Sequence, residues 1–212
     1  MGRFSVETSL SNPQAIPSQP NQLAAGWPSV FTKETIGIEI PGVIVEDKDI
    51  ITPSDLEIIG TSLTAVRDMR LKGHKVFLFF NEPLISTGKL TALDVDDRIK
   101  QLMQIFGQAG ILSIEGLLYS TSNFKDDMFA FPNNGMLKKA EKEFNLKFKG
   151  GYFVSNNLNG LKAGASCGAK PILIKSSIIS DVEQKLNTFA NRELKSKVKT
   201  YDTLFNFVSD FN

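Results

Sequence analysis

The chain has one cysteine, one histidine and one tryptophan in 212 residues. None of its apolar runs approaches the roughly 20 residues that cross a bilayer. The single Cys167 excludes a disulfide framework within the chain, and with His74 as the only histidine a Cys/His zinc site is excluded too. Cys167 and His74 are also the only thiol–imidazole couple on offer, so Cys167 reads as a small buried apolar side chain. Charge of one sign is equally lacking: 24 Lys and Arg stand against 23 Asp and Glu, a net of +1. Nucleic acid and anionic membranes both demand a concentrated positive field, and neither is expected as a partner. The N-terminus lacks the apolar stretch of a signal peptide, and Val6 stands where a myristoylation signal after Met1-Gly2 wants Ser or Thr. These absences point to the cytoplasm, or to a particle assembled there.

What is present suits one sizeable core, at 42% apolar content. Residues 1–36 form a separate region. Pro13, Pro17, Pro20 and Pro28 are interspersed with Ser, Gln and Asn, and no period of 2 or 3.6 runs through them. This reads as an extended arm. Trp27 and Phe31 are its candidate anchors, to a pocket of this chain, to a protein partner or to a second copy in a homo-oligomer.

Residues 37–212 alternate strand and helix signals. Val43 to Val45 reads as a short buried strand. Thr52-Pro53-Ser54-Asp55 reads as a helix start, with Leu56, Ile59, Leu63, Val66 and Met69 following at helical spacing to Gly73. Lys75 to Phe80 is a continuous apolar strand, and Thr91 opens a second helix that ends at Gly110. Ile114–Tyr119, Tyr152–Val154 and Pro171–Ile174 read as strands, the last of them closing the sheet. Helices are expected at Gly135–Phe144 and Leu161–Ser166. The tail from Ser177 reads as helical, with Val198, Tyr201, Leu204, Phe205 and Val208 on one stripe. Such alternation implies an α/β fold: a three-layer, Rossmann-like parallel sheet with helices on both faces. Ligands of such sheets sit beyond the carboxyl ends of the strands.

Four stretches end at that rim: Val43-Ile44-Val45-Glu46-Asp47-Lys48-Asp49, Phe77-Leu78-Phe79-Phe80-Asn81, Phe129 to Met136, and Phe153 to Gly160. With Gly73-His74-Lys75-Val76, Gly135-Met136-Leu137 and Ala163-Gly164-Ala165-Ser166-Cys167-Gly168, they resemble the haloacid dehalogenase (HAD) superfamily. The likeness is to its capless branch, which holds D-glycero-D-manno-heptose 1,7-bisphosphate phosphatase and histidinol phosphatase.

That resemblance implies an Asp nucleophile, an Asp acid/base two residues on, a hydroxyl and a Lys for the phosphoryl group, and acidic residues for magnesium. Aligned without gaps, those positions hold Glu46, Lys48, Phe80, Phe131, Asn156 and Gly160. Lys48 cannot serve as acid and then carboxylate base, and Phe80 and Phe131 cannot stabilise a phosphoryl oxygen. Magnesium is held poorly without carboxylates. The reading is therefore a body without enzymatic activity and without metal or cofactor, acting as a structural or protein-binding component of an assembly such as a virion. Shifting the first motif by one residue makes Asp47-Lys48-Asp49 an intact Asp-x-Asp pair. That register implies an active phosphatase on small phosphate esters. A third reading is a regulator whose pocket binds a less charged ligand.

Overall fold

The computed structural model describes residues 14–16, 33–48, 52–122, 124, 126–175 and 180–210. Trp27, Phe31, Asp49 and most of the expected arm lie outside the described residues. Within them the strands are β1 (Gln14–Ile16), β2 (Thr35–Glu39), β3 (Lys75–Asn81), β4 (Gly116–Ser120), β5 (Tyr152–Ser155), β6 (Lys170–Ile174) and β7 (Lys199–Tyr201). The α-helices are α1 (Ser62–Leu71), α2 (Pro83–Ser86), α3 (Ala92–Gln108), α4 (Gly135–Glu143), α5 (Leu158–Ser166), α6 (Ser180–Leu186), α7 (Arg192–Lys197) and α8 (Leu204–Ser209). They build one sheet in the order β1-β4-β3-β2-β5-β6-β7. Every pairing is parallel except β1 with β4. Ile38 at the centre lies beside Leu78 on one side and Val154 on the other.

The alternation of side chains along β3 divides the interior into two layers. Val76, Leu78 and Phe80 face the helices α1, α3 and α8, among Ala65, Val66, Met69, Ile99, Phe106 and Phe207. Phe77 and Phe79 face α4 and α5, among Phe131, Met136, Leu137, Phe148, Phe153 and Ala163. The second layer is aromatic: the ring of Phe79 lies 5.0 Å from Phe77, 5.8 Å from Phe148 and 5.7 Å from Phe153. The α/β three-layer architecture expected from the sequence is the one observed.

Three local expectations are corrected. Val43-Ile44-Val45 is no strand. The amides of Val43, Ile44 and Val45 converge on the Ile40 carbonyl at 3.3, 2.9 and 3.2 Å, so this buried apolar run is wound into a turn. The central strand is instead Thr35–Glu39, one turn earlier in the chain. Thr52 does form a capping box with Asp55, through bonds of 2.7 and 3.0 Å to Asp55 Oδ2, but it heads only the 3-10 turn Pro53–Asp55. Beyond it Ile58 bridges to Val45 and the Glu57 carbonyl accepts from Glu46 N at 2.9 Å, which holds this segment extended. The helix begins at Ser62, whose hydroxyl donates to the Ile44 carbonyl at 3.1 Å.

The third correction concerns the tail. It is not continuously helical: α6, a 3-10 turn, α7, strand β7 and α8 succeed one another, so Pro171–Ile174 is not the last strand. Val198 and Tyr201 lie outside α8, while Leu204, Phe207 and Val208 are its buried face.

Candidate functional site

A cleft of about 860 Å³ opens at the carboxyl ends of the central strands. Its floor comes from the end of β2. Gly37 and Glu39 point to the aromatic layer, and the Glu39 side chain runs under the start of α5, where it is 6% exposed. Glu39 Oε2 accepts from Ser155 Oγ at 2.6 Å and Oε1 accepts from Asn157 Nδ2 at 2.8 Å. Ser155 Oγ in turn accepts from Asn157 N at 3.0 Å, and Asn157 Oδ1 caps α5 by accepting from Gly160 N at 2.9 Å. Burial drives the Glu39 carboxyl up to about 7; the Ser155 and Asn157 bonds oppose that rise and the charge of Asp47 adds to it. Protonated and ionised forms of Glu39 therefore coexist near neutral pH, as acid–base chemistry requires.

Close approach explains two glycines. Gly160 lies directly over this carboxyl: a Cβ there would stand 2.3 Å from Glu39 Oε2 and 2.5 Å from Ser155 Oγ. Gly42 turns the chain after β2 with φ at +70°, and a Cβ on it would meet Asn156 Nδ2 at 1.8 Å. Asn156, 5% exposed, donates from Nδ2 to Asp47 Oδ2 at 3.2 Å and so ties the loop after β2 to the end of β5. A buried pair closes another wall of the cleft: Arg98 from α3 donates to Glu82, which also caps α2 by accepting from Leu84 N at 3.3 Å.

The sequence-expected residues are placed as follows. Phe80 and Phe131 line the cleft, Phe80 stacked 5.1 Å from Tyr119 and Phe131 5.8 Å from Phe153. Both are apolar walls belonging to opposite core layers. Asn156 and Asp47 also line the cleft, and Gly160 lies at its floor. Glu46 does not end the strand. It is half-buried on the loop beyond the turn, and the strand-end position falls to Glu39. Lys48 is exposed and pairs with Glu57 at 2.7 Å. Two residues beyond Glu39 stands Pro41, which has no titratable group. Cys167 is buried, and burial raises its thiol, as its structural reading requires.

Glu39, Ser155 and Asn157 were missed in the sequence. Their signals were there: Ile36-Gly37-Ile38-Glu39 alternates and ends on a carboxyl before Pro41-Gly42, and Asn157 precedes the apolar positions of α5.

No protein-family model matches the sequence, and no curated protein matches it. Solved structures do. D,D-heptose 1,7-bisphosphate phosphatase from B. bronchiseptica, complexed with magnesium and phosphate, superposes with a TM-score of 0.74 at 16% identity. The match covers 84% of this chain and 97% of that one. D,D-heptose 1,7-bisphosphate phosphatase from Burkholderia thailandensis gives 0.63 at 17% identity, over 84% of this chain and 98% of that one. At these identities the likeness shows the fold. The expectation of a non-enzymatic body is corrected by it: the fold over 84% of this chain is one shared with phosphatases.

Magnesium is the ion that the resemblance implies here, and the donors do not fit it. Both Glu39 oxygens are engaged by hydrogen-bond donors, and an acidic side chain at position 160 has no room. Among the described residues no three His, Cys, Asp or Glu side chains gather into a cation site.

Proposed function

With the fold established as haloacid dehalogenase-like, we propose that the protein is a hydrolase of small phosphate esters whose reactive group is Glu39. The observation that carries this reading is the buried carboxyl at the end of the central strand, held by Ser155 and Asn157 and facing an 860 Å³ cleft. The reading takes up the phosphatase alternative from the sequence. It moves the first carboxylate of the Asp47/Asp49 pair, the nucleophile, from Asp47 to Glu39 and gives Asp47 the role of base.

In the first step an ionised Glu39 oxygen forms the bond to phosphorus while the ester P–O bond breaks and the leaving oxygen departs with the electron pair. Pro41 offers no proton where the resemblance implies a carboxyl acid. Leaving groups that are stable as anions, such as phenolates, are therefore favoured over sugar alkoxides. Phe80, Phe131, Leu158 and Ile99 give such an aromatic group an apolar wall. The Asn81, Asn156 and Asn159 amides and Lys185 line the cleft and, on this reading, meet the phosphoryl oxygens. In the second step Asp47 takes a proton from water, the hydroxide attacks phosphorus, and Glu39 leaves as the carboxylate with inorganic phosphate released.

The test is turnover of an aryl phosphate and of a sugar bisphosphate by wild type, Glu39→Gln and Asp47→Asn. Aryl phosphate hydrolysis should exceed sugar phosphate hydrolysis and fall about 100-fold or more in Glu39→Gln. Asp47→Asn should slow the second step and leave a burst of phenolate. No turnover on either substrate, or full turnover in Glu39→Gln, would overturn the proposal.

A further inference from the structure

Glu39 and Gly160 touch across the floor of the cleft in a way that neither residue explains alone. Gly160 sits inside α5, where glycine is a poor helix former, and its φ needs no glycine. What demands the missing side chain is the carboxyl beneath it. The Cβ position of residue 160 lies 2.3 Å from Glu39 Oε2, closer than real Cβ atoms come to any neighbour. Glutamate is one methylene longer than the aspartate that the resemblance implies at a strand end. Its carboxyl thereby reaches the space in which a side chain at 160 would stand. Both oxygens then meet donors, Ser155 Oγ at 2.6 Å and Asn157 Nδ2 at 2.8 Å. A divalent cation needs the opposite arrangement, with ionised oxygens from several side chains pointing at one spot.

We infer that Glu39 and Gly160 are an exchanged pair: the glutamate carboxyl takes the volume of an acidic side chain at 160, and the site works without a divalent cation. The inference rests on the hydrolase reading only where turnover is the readout.

Two measurements test it independently of turnover. The first titrates the full chain with Mn²⁺, followed by electron paramagnetic resonance of the free ion. No saturable site is expected at millimolar Mn²⁺, and a stoichiometric site lost in Glu39→Gln would overturn the inference. The second is a double-mutant cycle in urea with Gly160→Ala and Glu39→Asp. Gly160→Ala ordinarily stabilises a helix, yet here it should lower the urea midpoint. The loss should shrink in the Glu39→Asp background, where the carboxyl withdraws, with the contact to Ser155 Oγ accounting for what remains. Additive effects, or an unharmed Gly160→Ala, would refute the pairing. Turnover of an aryl phosphate should then be unchanged by EDTA, and its abolition by EDTA would count against the inference. If no turnover is found at all, the hydrolase reading fails while the Mn²⁺ and urea results still decide the pairing.

Discussion

Replacing Glu39 by Gln should remove a specific pH dependence of stability. The Glu39 carboxyl releases its proton at about 7 in the fold, against an ordinary value of 4.5. Below pH 4.5 the group is protonated in both folded and unfolded chains and contributes no slope. Between 4.5 and 7 the unfolded chain has lost the proton and the fold keeps it, so unfolding gains about 1.4 kcal/mol for each pH unit. Above 7 both forms are ionised and the slope vanishes. The total is about 3 kcal/mol of stability, present in acid and lost as pH rises. For a chain of this size that corresponds to a Tm lower by about 6–12 °C. His74 acts in the opposite direction in part of the same window. Burial lowers its pKa, so its unfolded form binds the proton more readily and stability rises with pH. Subtracting Glu39→Gln from wild type cancels that contribution. Gln is accommodated: its amide donates to Ser155 Oγ, whose own hydrogen turns to the Asn157 carbonyl at 3.0 Å. Urea unfolding of both proteins from pH 4.5 to 8 is the assay. The Glu39→Gln curve should rise relative to wild type by about 3 kcal/mol across the window. Parallel curves would refute the buried, desolvated carboxyl.

Two further predictions concern packing and charge. Glu82→Ala removes the carboxylate that the buried Arg98 bonds and the cap of α2, and should cost about 1.5–3 kcal/mol in urea unfolding. Phe79→Ala opens the aromatic layer at the ring nearest its middle, and should cost about 3–5 kcal/mol with loss of near-ultraviolet dichroism from the rings stacked around it.

The fold was legible because its signals are periodic. Thr91 caps α3 through its Oγ1, accepting from Asp94 N at 3.2 Å, and the apolar spacing from Val95 to Phe106 is the buried face of that helix. Val76 to Phe80 is buried on both faces and reads as a continuous apolar run for that reason. The candidate site was legible in part. Phe80, Phe131 and Asn156 line the cleft: Phe80 and Asn156 follow from β3 and β5, which were placed correctly, and Phe131 comes from the loop before α4. The first motif failed because Val43, Ile44 and Val45 are as buried as a central strand while folded into a turn. Burial and extension leave the same apolar run in a sequence. Gly37 concealed the true strand: it breaks the β-branched pattern because its Cβ would stand 2.7 Å from the Phe153 ring, a contact only the assembled sheet makes visible. The helix expected from Thr52 failed for a different reason. A capping box fixes only the first turn, and the bridge from Ile58 to Val45 took the residues that followed.

The order of strands has a mechanical consequence. The chain lays β2, β3 and β4 outward to one side, then crosses once and lays β5, β6 and β7 outward to the other. The sheet is thus two half-sheets meeting along a seam between β2 and β5, with few main-chain partners beyond Ile36, Gly37 and Ile38 to join them. Glu39 belongs to the first half, and Ser155 and Asn157 belong to the second. The three side chains stitch the seam at the end where the cleft opens. Any ligand that takes a Glu39 oxygen for itself undoes a stitch, and so trades its own binding against the stiffness of the join. Linkage makes that trade reciprocal: whatever loosens the two halves favours the ligand, and the ligand loosens the halves to the same degree.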